Sequence, residues 1–169
     1  MSLIQTERLL IRKVTIEDTM FILRLLNEPS WIQYIGDKGV KTEEDAKKYI
    51  QSGPIQMYKD YGFGLYVVSL KESGVPIGLC GLIKRISLQY VDIGFAFLPE
   101  FTGKGYAFEA AEAVVQYGKQ AFSLHKIVAI TTLDNVNSQK LLIKLGFHFD
   151  SLIKMPHETE ELKLFTKNL

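Results

Sequence analysis

Apolar residues recur at helical spacing in the first third of the chain, after one alternating segment. That segment, Arg8 to Val14, predicts a strand. Thr15-Ile16-Glu17-Asp18 combines a capping threonine with an acid three positions later, which predicts a helix that continues until Pro29. Thr42-Glu43-Glu44-Asp45 predicts a second helix start of the same kind. Trp31 to Ile35, between the two helices, is predicted to be an aromatic connection.

The period of the apolar residues changes to two from Phe63 onward, which is typical of strands. Gly64 to Leu70 and Val75 to Ile86 predict a hairpin that turns at Glu72-Ser73-Gly74. Leu88 to Leu98 predicts a third antiparallel strand beside this hairpin. We therefore expect this part of the chain to form an antiparallel sheet.

The last part of the chain alternates helical and strand patterns. Small residues recur on one face of a helix predicted from Ala107 to Ala121, and Ile127 to Leu133 is a nearly continuous apolar run, typical of a strand covered on both faces. A strand, a helix and a strand in succession predict a parallel crossover. A short helix, Lys140 to Leu145, and a closing hairpin, Phe147 to Met155 with Glu160 to Phe165, complete the pattern. The result is an α+β fold, a mixed and mostly antiparallel sheet with helices on both faces.

Composition and charge narrow the class of protein. A length of 169 residues suits one domain, residues 1–169, and 47% hydrophobic with 23% charged residues is typical of globular proteins. A formal net charge of +1 gives no reason to expect nucleic acid or a membrane as partner. The single cysteine, Cys80, fits a reducing compartment, and no apolar run reaches membrane-spanning length, so we expect a cytoplasmic protein. We interpret Cys80 as a buried apolar residue, and the scattered histidines predict no metal site.

The stretch from Phe97 to Ala107 carries the strongest chemical signal. It follows a predicted strand, leads into a predicted helix and contains Gly103 and Gly105, which free the backbone from the limits set by a Cβ atom. Successive N–H groups at such a turn can face one point, where the helix dipole adds positive charge, and this arrangement suits a pyrophosphate. Lys104 adds a mobile positive charge. The stretch is not the dinucleotide fingerprint, because Phe108 stands where the third glycine belongs.

Two further segments extend this signal. Asp134 to Phe147 reads D-N-V-N-S-Q-K-L-L-I-K-L-G-F, and Gln5 to Arg12 reads Q-T-E-R-L-L-I-R. Together with the stretch from Phe97 to Ala107, which we call the glycine loop, they resemble the GNAT superfamily of acyl-coenzyme A N-acyltransferases. Within it they resemble the branch of ribosomal-protein N-terminal (alanine/serine) acetyltransferases. The resemblance covers nearly the whole chain. It implies the GNAT fold, an α/β/α sandwich whose central sheet of about seven strands splays apart at an acetyl-CoA cleft.

The resemblance also implies a cofactor site, with acetyl-CoA as co-substrate and no metal. The family's loop reads Q/R-x-x-G-x-G/A, and Thr102 here stands where the family has Gln or Arg. The strands Leu88–Leu98 and Ile127–Leu133 are predicted to splay after Phe95 and to leave main-chain N–H groups free to bind the pantetheine. The predicted cofactor-binding residues are Phe97, Leu98, Thr102, Gly103, Lys104, Gly105, Tyr106, Ala107 and Asn135.

The reaction that the resemblance implies is a direct attack of an amine on the acetyl thioester, which needs a base for the amine and an acid for the leaving thiolate. We interpret Asp92 as the base, because apolar neighbours can raise its pKa toward neutrality. The alternatives are a strand-surface acid held in a salt bridge and a water chain to a main-chain carbonyl. Leu142 occupies the position where many family members carry a tyrosine, so the family branch implies Ser138 as the acid. Asn135 and Ser138 could instead only cap the following helix.

The acceptor is the least defined part of the prediction. Trp31 and Tyr34 lie in the region that borders the acceptor in the family, where they either line an amine pocket or pack in the core. Two functions remain open: an N-acetyltransferase that acetylates a primary amine, of a protein N-terminus or of a small molecule, and a non-catalytic module that binds acyl-CoA. Either would be a monomer or a homodimer that binds neither nucleic acid nor a membrane.

Overall fold

A mixed sheet of eight strands runs through the computed structural model, which describes residues 1–169. In chain order the strands are β1 (Ile4–Gln5), β2 (Leu9–Lys13), β3 (Leu65–Leu70), β4 (Pro76–Ile83), β5 (Asp92–Phe97), β6 (Lys126–Thr132), β7 (His148–Lys154) and β8 (Glu161–Asn168). Across the sheet the order is β1-β2-β3-β4-β5-β6-β8-β7, and only β5 and β6 run parallel. The strand that the sequence pattern does not predict is the two-residue β1.

Helices cover both faces of the sheet. They are α1 (Thr19–Leu26), α2 (Pro29–Tyr34), α3 (Glu43–Ile50), α4 (Gln56–Tyr61), α5 (Tyr106–Phe122) and α6 (Val136–Lys144). Ala46 of α3 belongs to a front core cluster with Val67, whereas Ala111 of α5 and Leu142 of α6 belong to a rear core cluster with Val68. Because adjacent strand residues point to opposite faces, the two clusters lie on opposite sides of β3. The predicted sandwich is therefore confirmed. No helix has both the length and the apolar character needed to span a membrane.

Two helical segments in the first third of the chain differ from the prediction. Pro29 begins α2 instead of only ending the helix before it, since a missing N–H costs nothing at the first position of a helix. The predicted aromatic connection is consequently mostly helical. The second helix starts at the predicted cap, where Thr42 Oγ1 accepts from Asp45 N at 3.1 Å, but it continues through a wide turn containing Pro54 into α4. Such a turn accommodates a residue that cannot donate to the helical ladder.

Small residues let α5 lie close on the sheet. Ala110 and Ala111 are fully buried, and a Cβ atom at Gly118 would lie 3.2 Å from Leu82 Cδ1 of β4. Larger side chains on this face would push the helix away from the strands. Close packing therefore holds the N-terminus of α5 at the sheet edge where β5 ends.

The parallel strands β5 and β6 are joined at one position only. Asp92 and Val128 are in register, and Val128 N donates to Val91 O at 3.0 Å. Beyond this pair β5 remains bonded to β4 and β6 to β8, so the two strands diverge. The predicted splaying is confirmed, although it begins after Asp92 and not after Phe95. We call the resulting gap the wedge, and the Asp92–Val128 pair its vertex.

Candidate active site

Main-chain groups of β5 line one side of the wedge. Val91 O points to β6, and strand alternation then directs the N–H and C=O groups of Phe95 and Phe97 the same way, where β6 has moved out of reach. Groups of this kind need a partner from water or from a ligand. The expectation of a free N–H at Leu98 is wrong, because Leu98 N donates to Ile77 O of β4 at 2.9 Å.

The glycine loop follows β5 at the open end of the wedge. Gly103 has a φ of +74° and Gly105 a φ of +83°, backbone conformations that favour glycine. No main-chain N–H from Gly103 to Phe108 donates to an acceptor within the protein, and Glu109 N is the first that does, to Gly105 O at 3.1 Å. The N-terminus of the 17-residue helix α5 thus offers a run of free donors together with its dipole. These residues fit an anionic group such as the pyrophosphate of coenzyme A.

Arg8, from the turn between β1 and β2, holds the glycine loop. Its Nη1 donates to Lys104 O at 2.9 Å, its Nε donates to Glu109 Oε2 at 2.7 Å, and its guanidinium lies 4.4 Å from the centre of the Tyr106 ring. Glu109 also accepts from Thr6 Oγ1 at 2.6 Å. Partial burial opposes ionisation of Glu109, but the hydrogen bonds from Thr6 and Arg8 outweigh it and lower its pKa. The loop is therefore attached to the first strands by a charged network.

A second arginine fixes the loop from the front helices. Arg24 of α1 donates to both carboxylate oxygens of Glu100, at 2.7 and 2.8 Å. Sequence reasoning missed both arginines, because their partners lie 101 and 76 residues away along the chain. Only the Gln5 to Arg12 segment, noticed for its resemblance, could have indicated Arg8.

Thr102 and Lys104 contribute unequally to the loop. Thr102 Oγ1 donates to Pro99 O at 2.8 Å, so its hydroxyl proton is used inside the loop. Lys104 Nζ lies 6.0 Å from the Phe101 ring and has no carboxylate within 4.0 Å. Its positive charge is therefore available at the rim.

The segment from Asp134 to Phe147 follows β6. It begins at the same edge of the sheet as the glycine loop, because the carboxyl ends of the parallel strands β5 and β6 lie at one edge. Asn135 Oδ1 accepts from Ser138 N at 3.3 Å, so the capping role is present. Asn135 Nδ2 and Ser138 Oγ make no hydrogen bond in the protein and can serve a ligand. Gln139 Nε2 donates to Thr132 O at 3.1 Å, which ties α6 to the end of β6.

Asp92 lies at the closed end of the wedge. Asp92 is only 1% exposed, and its Oδ1 accepts a hydrogen bond from Arg85 Nε at 3.2 Å. Burial raises the pKa of Asp92 to about 6, although the positive charge of Arg85 acts in the opposite direction. The carboxylate of Asp92 therefore forms a salt bridge with Arg85, as one alternative predicted. It is buried, however, and does not lie at the strand surface.

The structure separates the two candidate catalytic groups. Asp92 is at the start of β5, about 17 Å along the strand from its end at Phe97, at about 3.3 Å per residue. Ser138 follows the end of β6, beyond Thr132. The two side chains therefore cannot contact each other, and water has to link at least one of them to the reacting atoms.

The predicted acceptor residues differ in their surroundings. Trp31 is 5% exposed and packs in the front core cluster, as one alternative predicted, and its role at the acceptor stays a prediction. Tyr34 is half-buried at the end of α2 and stays a prediction. Cys80 is fully buried, and burial raises the pKa of its thiol. No group of three His, Cys, Asp or Glu residues is placed to hold a metal ion.

Comparisons with known proteins agree with this arrangement. The model of the acetyltransferase (GNAT) domain family matches residues 8–148. The chain is 31% identical over 151 residues to the uncharacterized N-acetyltransferase YnaD of Bacillus subtilis, covering 89% of this chain and 85% of that protein. An acetyltransferase of the GNAT family from Bacillus anthracis superimposes with a TM-score of 0.81 and 28% identity, over 98% of this chain and 97% of that one. The ribosomal L7/L12 alpha-N-protein acetyltransferase RimL, solved with coenzyme A, superimposes with a TM-score of 0.86 at 14% identity, over 100% and 98% of the chains.

A glycine loop before a long helix, a wedge between parallel strands and these matches define one class of protein, the acetyl-CoA-dependent N-acetyltransferases. The chain belongs to the GNAT acetyltransferase family. Its acetyl donor is acetyl-CoA, and its structural neighbours include ribosomal-protein N-acetyltransferases. At 14% identity, the structural likeness to RimL shows a common fold and does not indicate a common acceptor.

Proposed function

We propose that this protein transfers the acetyl group of acetyl-CoA to a primary amine by direct attack, the amine belonging to a protein N-terminus or to a small molecule. The observation that carries the proposal is the wedge, which opens beside a run of free N–H groups. In the reaction the amine nitrogen bonds to the acetyl carbon, the carbon–sulfur bond breaks, the amine loses a proton and the thiolate gains one. The protein has to orient the two substrates and move these protons.

The glycine loop and β5 supply the binding groups in this proposal. The N–H groups from Gly103 to Phe108 hold the pyrophosphate, with Lys104 at the rim. The main-chain groups of Phe95 and Phe97 bind the pantetheine amides and polarise the thioester carbonyl. Asn135 Nδ2 donates a hydrogen bond to the pantetheine from the other side of the wedge.

Asp92 accepts the proton of the amine in this proposal. Its position at the vertex supports the role, since a thioester fed along the wedge toward its closed end approaches this carboxylate. With a pKa of about 6, Asp92 is ionised at neutral pH and still basic enough to take a proton. Because the residue is 1% exposed, the proton travels through a water molecule.

Ser138 supplies the proton to the leaving thiolate through a chain of water molecules along the wedge, because the thioester approaches Asp92 at the closed end. The main-chain N–H of Ser138 is held by Asn135, whereas its hydroxyl is free at the open end of the wedge. Leu142, where many family members carry a tyrosine, is 1% exposed and carries no proton to donate. Water then restores the proton on Ser138.

The experiment that tests the proposal is thiol release from acetyl-CoA, followed with a thiol-reactive dye against a panel of amines and N-terminal peptides. Turnover with at least one primary amine and formation of its N-acetyl product by mass spectrometry are expected. Binding of acetyl-CoA without turnover across a broad panel would favour a non-catalytic acyl-CoA-binding module instead.

A further inference from the structure

The front face of the sheet around the vertex is rich in cations. Ile93 belongs to the rear cluster and Ala96 packs against the front one, so strand alternation places Asp92 on the front face. The side chain of Val128 also points to the front face, because its neighbours along β6, Ile127 and Ala129, belong to the rear cluster. An acceptor that approaches the vertex from the front therefore meets the side chains around Asp92.

Arg85 is the cation nearest to the vertex. Its Nε is used by Asp92, but its Nη1 and Nη2 groups have no partner in the protein, and its side chain is 36% exposed. Tyr49 of α3 is close enough for the charge of Arg85 to act on its hydroxyl, which also makes no hydrogen bond. Unused planar donors are suited to an anionic oxygen group, above all a carboxylate.

Two lysines add to this positive charge. Lys84 Nζ donates to Leu88 O at 3.0 Å, and Lys126 Nζ lies 4.7 Å from the centre of the Tyr90 ring, with no carboxylate within 4.0 Å of either ammonium. A cavity of about 260 Å³ lies beside them and is lined by Tyr90, Lys126, Val128 and Asp150 among others. Because Val128 is half of the vertex pair, this cavity reaches the closed end of the wedge.

The anions on this face do not balance the cations. Asp92 is already paired with Arg85, and Asp150 on β7 is the one acid that lines the cavity. A polyamine would meet Lys84, Arg85 and Lys126 together, which is unfavourable. An acceptor with a carboxylate would gain from them.

We propose that the acceptor is an amine that also carries a carboxylate, an amino acid or a close analogue, whose carboxylate binds the Nη groups of Arg85. This inference rests on the proposed acetyl transfer and specifies its acceptor. In an α-amino acid the amine and the carboxylate share one carbon, so a carboxylate on Arg85 brings the amine beside Asp92, whose oxygen is 3.2 Å from Arg85 Nε. The cavity next to them accommodates the acceptor side chain. The first residue of a peptide has no free carboxylate on its α-carbon. It would therefore leave the Nη groups of Arg85 without a partner.

The test measures kcat/KM for matched acceptors, each free amino acid against its carboxamide, with a polyamine and N-terminal peptides as further acceptors. The wild-type protein is expected to prefer the acid by about tenfold or more, the size of one charge-assisted contact. Arg85→Met is expected to reduce this ratio to about one. Both substrates of a pair meet the same enzyme, so the ratio cancels effects of Arg85 on Asp92 or on folding. Lys119→Met, which removes an exposed charge from α5, is the control and should keep the wild-type ratio.

Four results would overturn the inference: equal use of acid and carboxamide by the wild type, a preference that survives Arg85→Met, faster turnover of the polyamine, or turnover of peptide termini alone. In each of these the proposed acetyl transfer itself would stand. Failure of every amine, with acetyl-CoA still bound, would instead overturn the proposed function and this inference with it. If Arg85→Met does not fold, Arg85→Gln replaces it, and the wild-type ratio remains a test by itself.

Discussion

Single side chains decide the chemistry proposed for this protein, and their surroundings matter more than their identities. Asp92 differs from the other aspartates because it is the most deeply buried, at 1% exposed, and burial raises its pKa to about 6 although the charge of Arg85 lowers it. Ser138 differs from other serines because its main chain is bound by a cap while its hydroxyl stays free. Two predictions belong to this scale.

The activity should depend on the ionisation of Asp92. Its pKa is raised to about 6, and the base is the ionised form, so kcat/KM should rise as the pH increases through about 6 and level off above it. Asp92→Asn should lower kcat/KM roughly a hundredfold and remove this rising limb. Steady-state rates from pH 5 to 8 test this, with acetyl-CoA binding at each pH as the control. A limb that persists in Asp92→Asn would assign the base elsewhere.

Ser138→Ala should lower kcat by roughly tenfold to a hundredfold with little change in acetyl-CoA affinity. The substitution removes the hydroxyl but keeps the main-chain N–H that Asn135 binds, so the start of α6 should stay intact. Asn137→Ala, in the same turn and exposed, is the matched control. Turnover and isothermal titration with coenzyme A separate the two quantities, and unchanged turnover would remove Ser138 from the mechanism.

We expect elements of secondary structure to carry the binding of the donor. The glycine loop suits a pyrophosphate because α5 is long, lies close on the sheet and begins after two residues with positive φ. Its position is not decided within the loop itself: Arg8 holds it from the turn between β1 and β2, and Arg24 holds it from α1. The loop conformation and its attachment can be tested separately.

Gly103→Ala should weaken coenzyme A binding about tenfold through backbone strain alone, since a Cβ at Gly103 meets no atom within 4 Å. Gly74, in the turn between β3 and β4, has the same φ of +74° and equally open surroundings, which makes Gly74→Ala a closely matched control. Both substitutions should lower the unfolding temperature by similar amounts. Only Gly103→Ala should change affinity, and an equal loss in both variants would refute a specific role for the loop.

Arg8→Gln should raise the KM for acetyl-CoA about fivefold while kcat changes less than about twofold. The loss of the bond to Lys104 O loosens the loop, and the carboxylate of Glu109 is left unpaired near the bound phosphates. The double variant Arg8→Gln, Glu109→Gln should therefore bind acetyl-CoA better than Arg8→Gln alone. Steady-state kinetics at low ionic strength measures this difference; no recovery would limit Arg8 to a purely structural role.

At the scale of the whole molecule, the sheet consists of two halves joined by one register pair. The strands from β1 to β5 and from β6 to β8 are each continuously bonded, but between them only Asp92 and Val128 are in register. A ligand in the wedge would bridge the halves and satisfy main-chain groups that now have no partner. Binding and folding stability should therefore be strongly linked.

Coenzyme A at a hundred times its dissociation constant should stabilise the fold by about 2.7 kcal/mol. For a domain of this size that corresponds to a rise in the unfolding temperature of roughly 5–10 °C. Hydrogen exchange should slow at Phe95 and Phe97, whose N–H groups face the wedge. Thermal unfolding with and without coenzyme A measures the first effect, and adenosine alone is the control. An unchanged temperature would show that the wedge is not the binding site.

Local chemistry in the sequence determined much of this protein. The period of two, the capped helix starts and the apolar run of β6 predicted the α+β fold, because each depends on neighbours within a few residues. The glycine loop by itself indicated a pyrophosphate, and its resemblance to the GNAT superfamily, together with that of the Asp134 to Phe147 segment, implied acetyl-CoA.

Only the tertiary structure decided what depends on residues distant in sequence. No local pattern links Arg8 with Glu109, or says that the N–H of Leu98 is used by β4 while that of Phe97 faces the wedge. The burial of Trp31 and the salt bridge of Asp92 depend likewise on segments that meet only in the folded chain. Sequence encodes local conformation at short range, whereas burial, strand partners and pKa values depend on which distant groups the fold brings together.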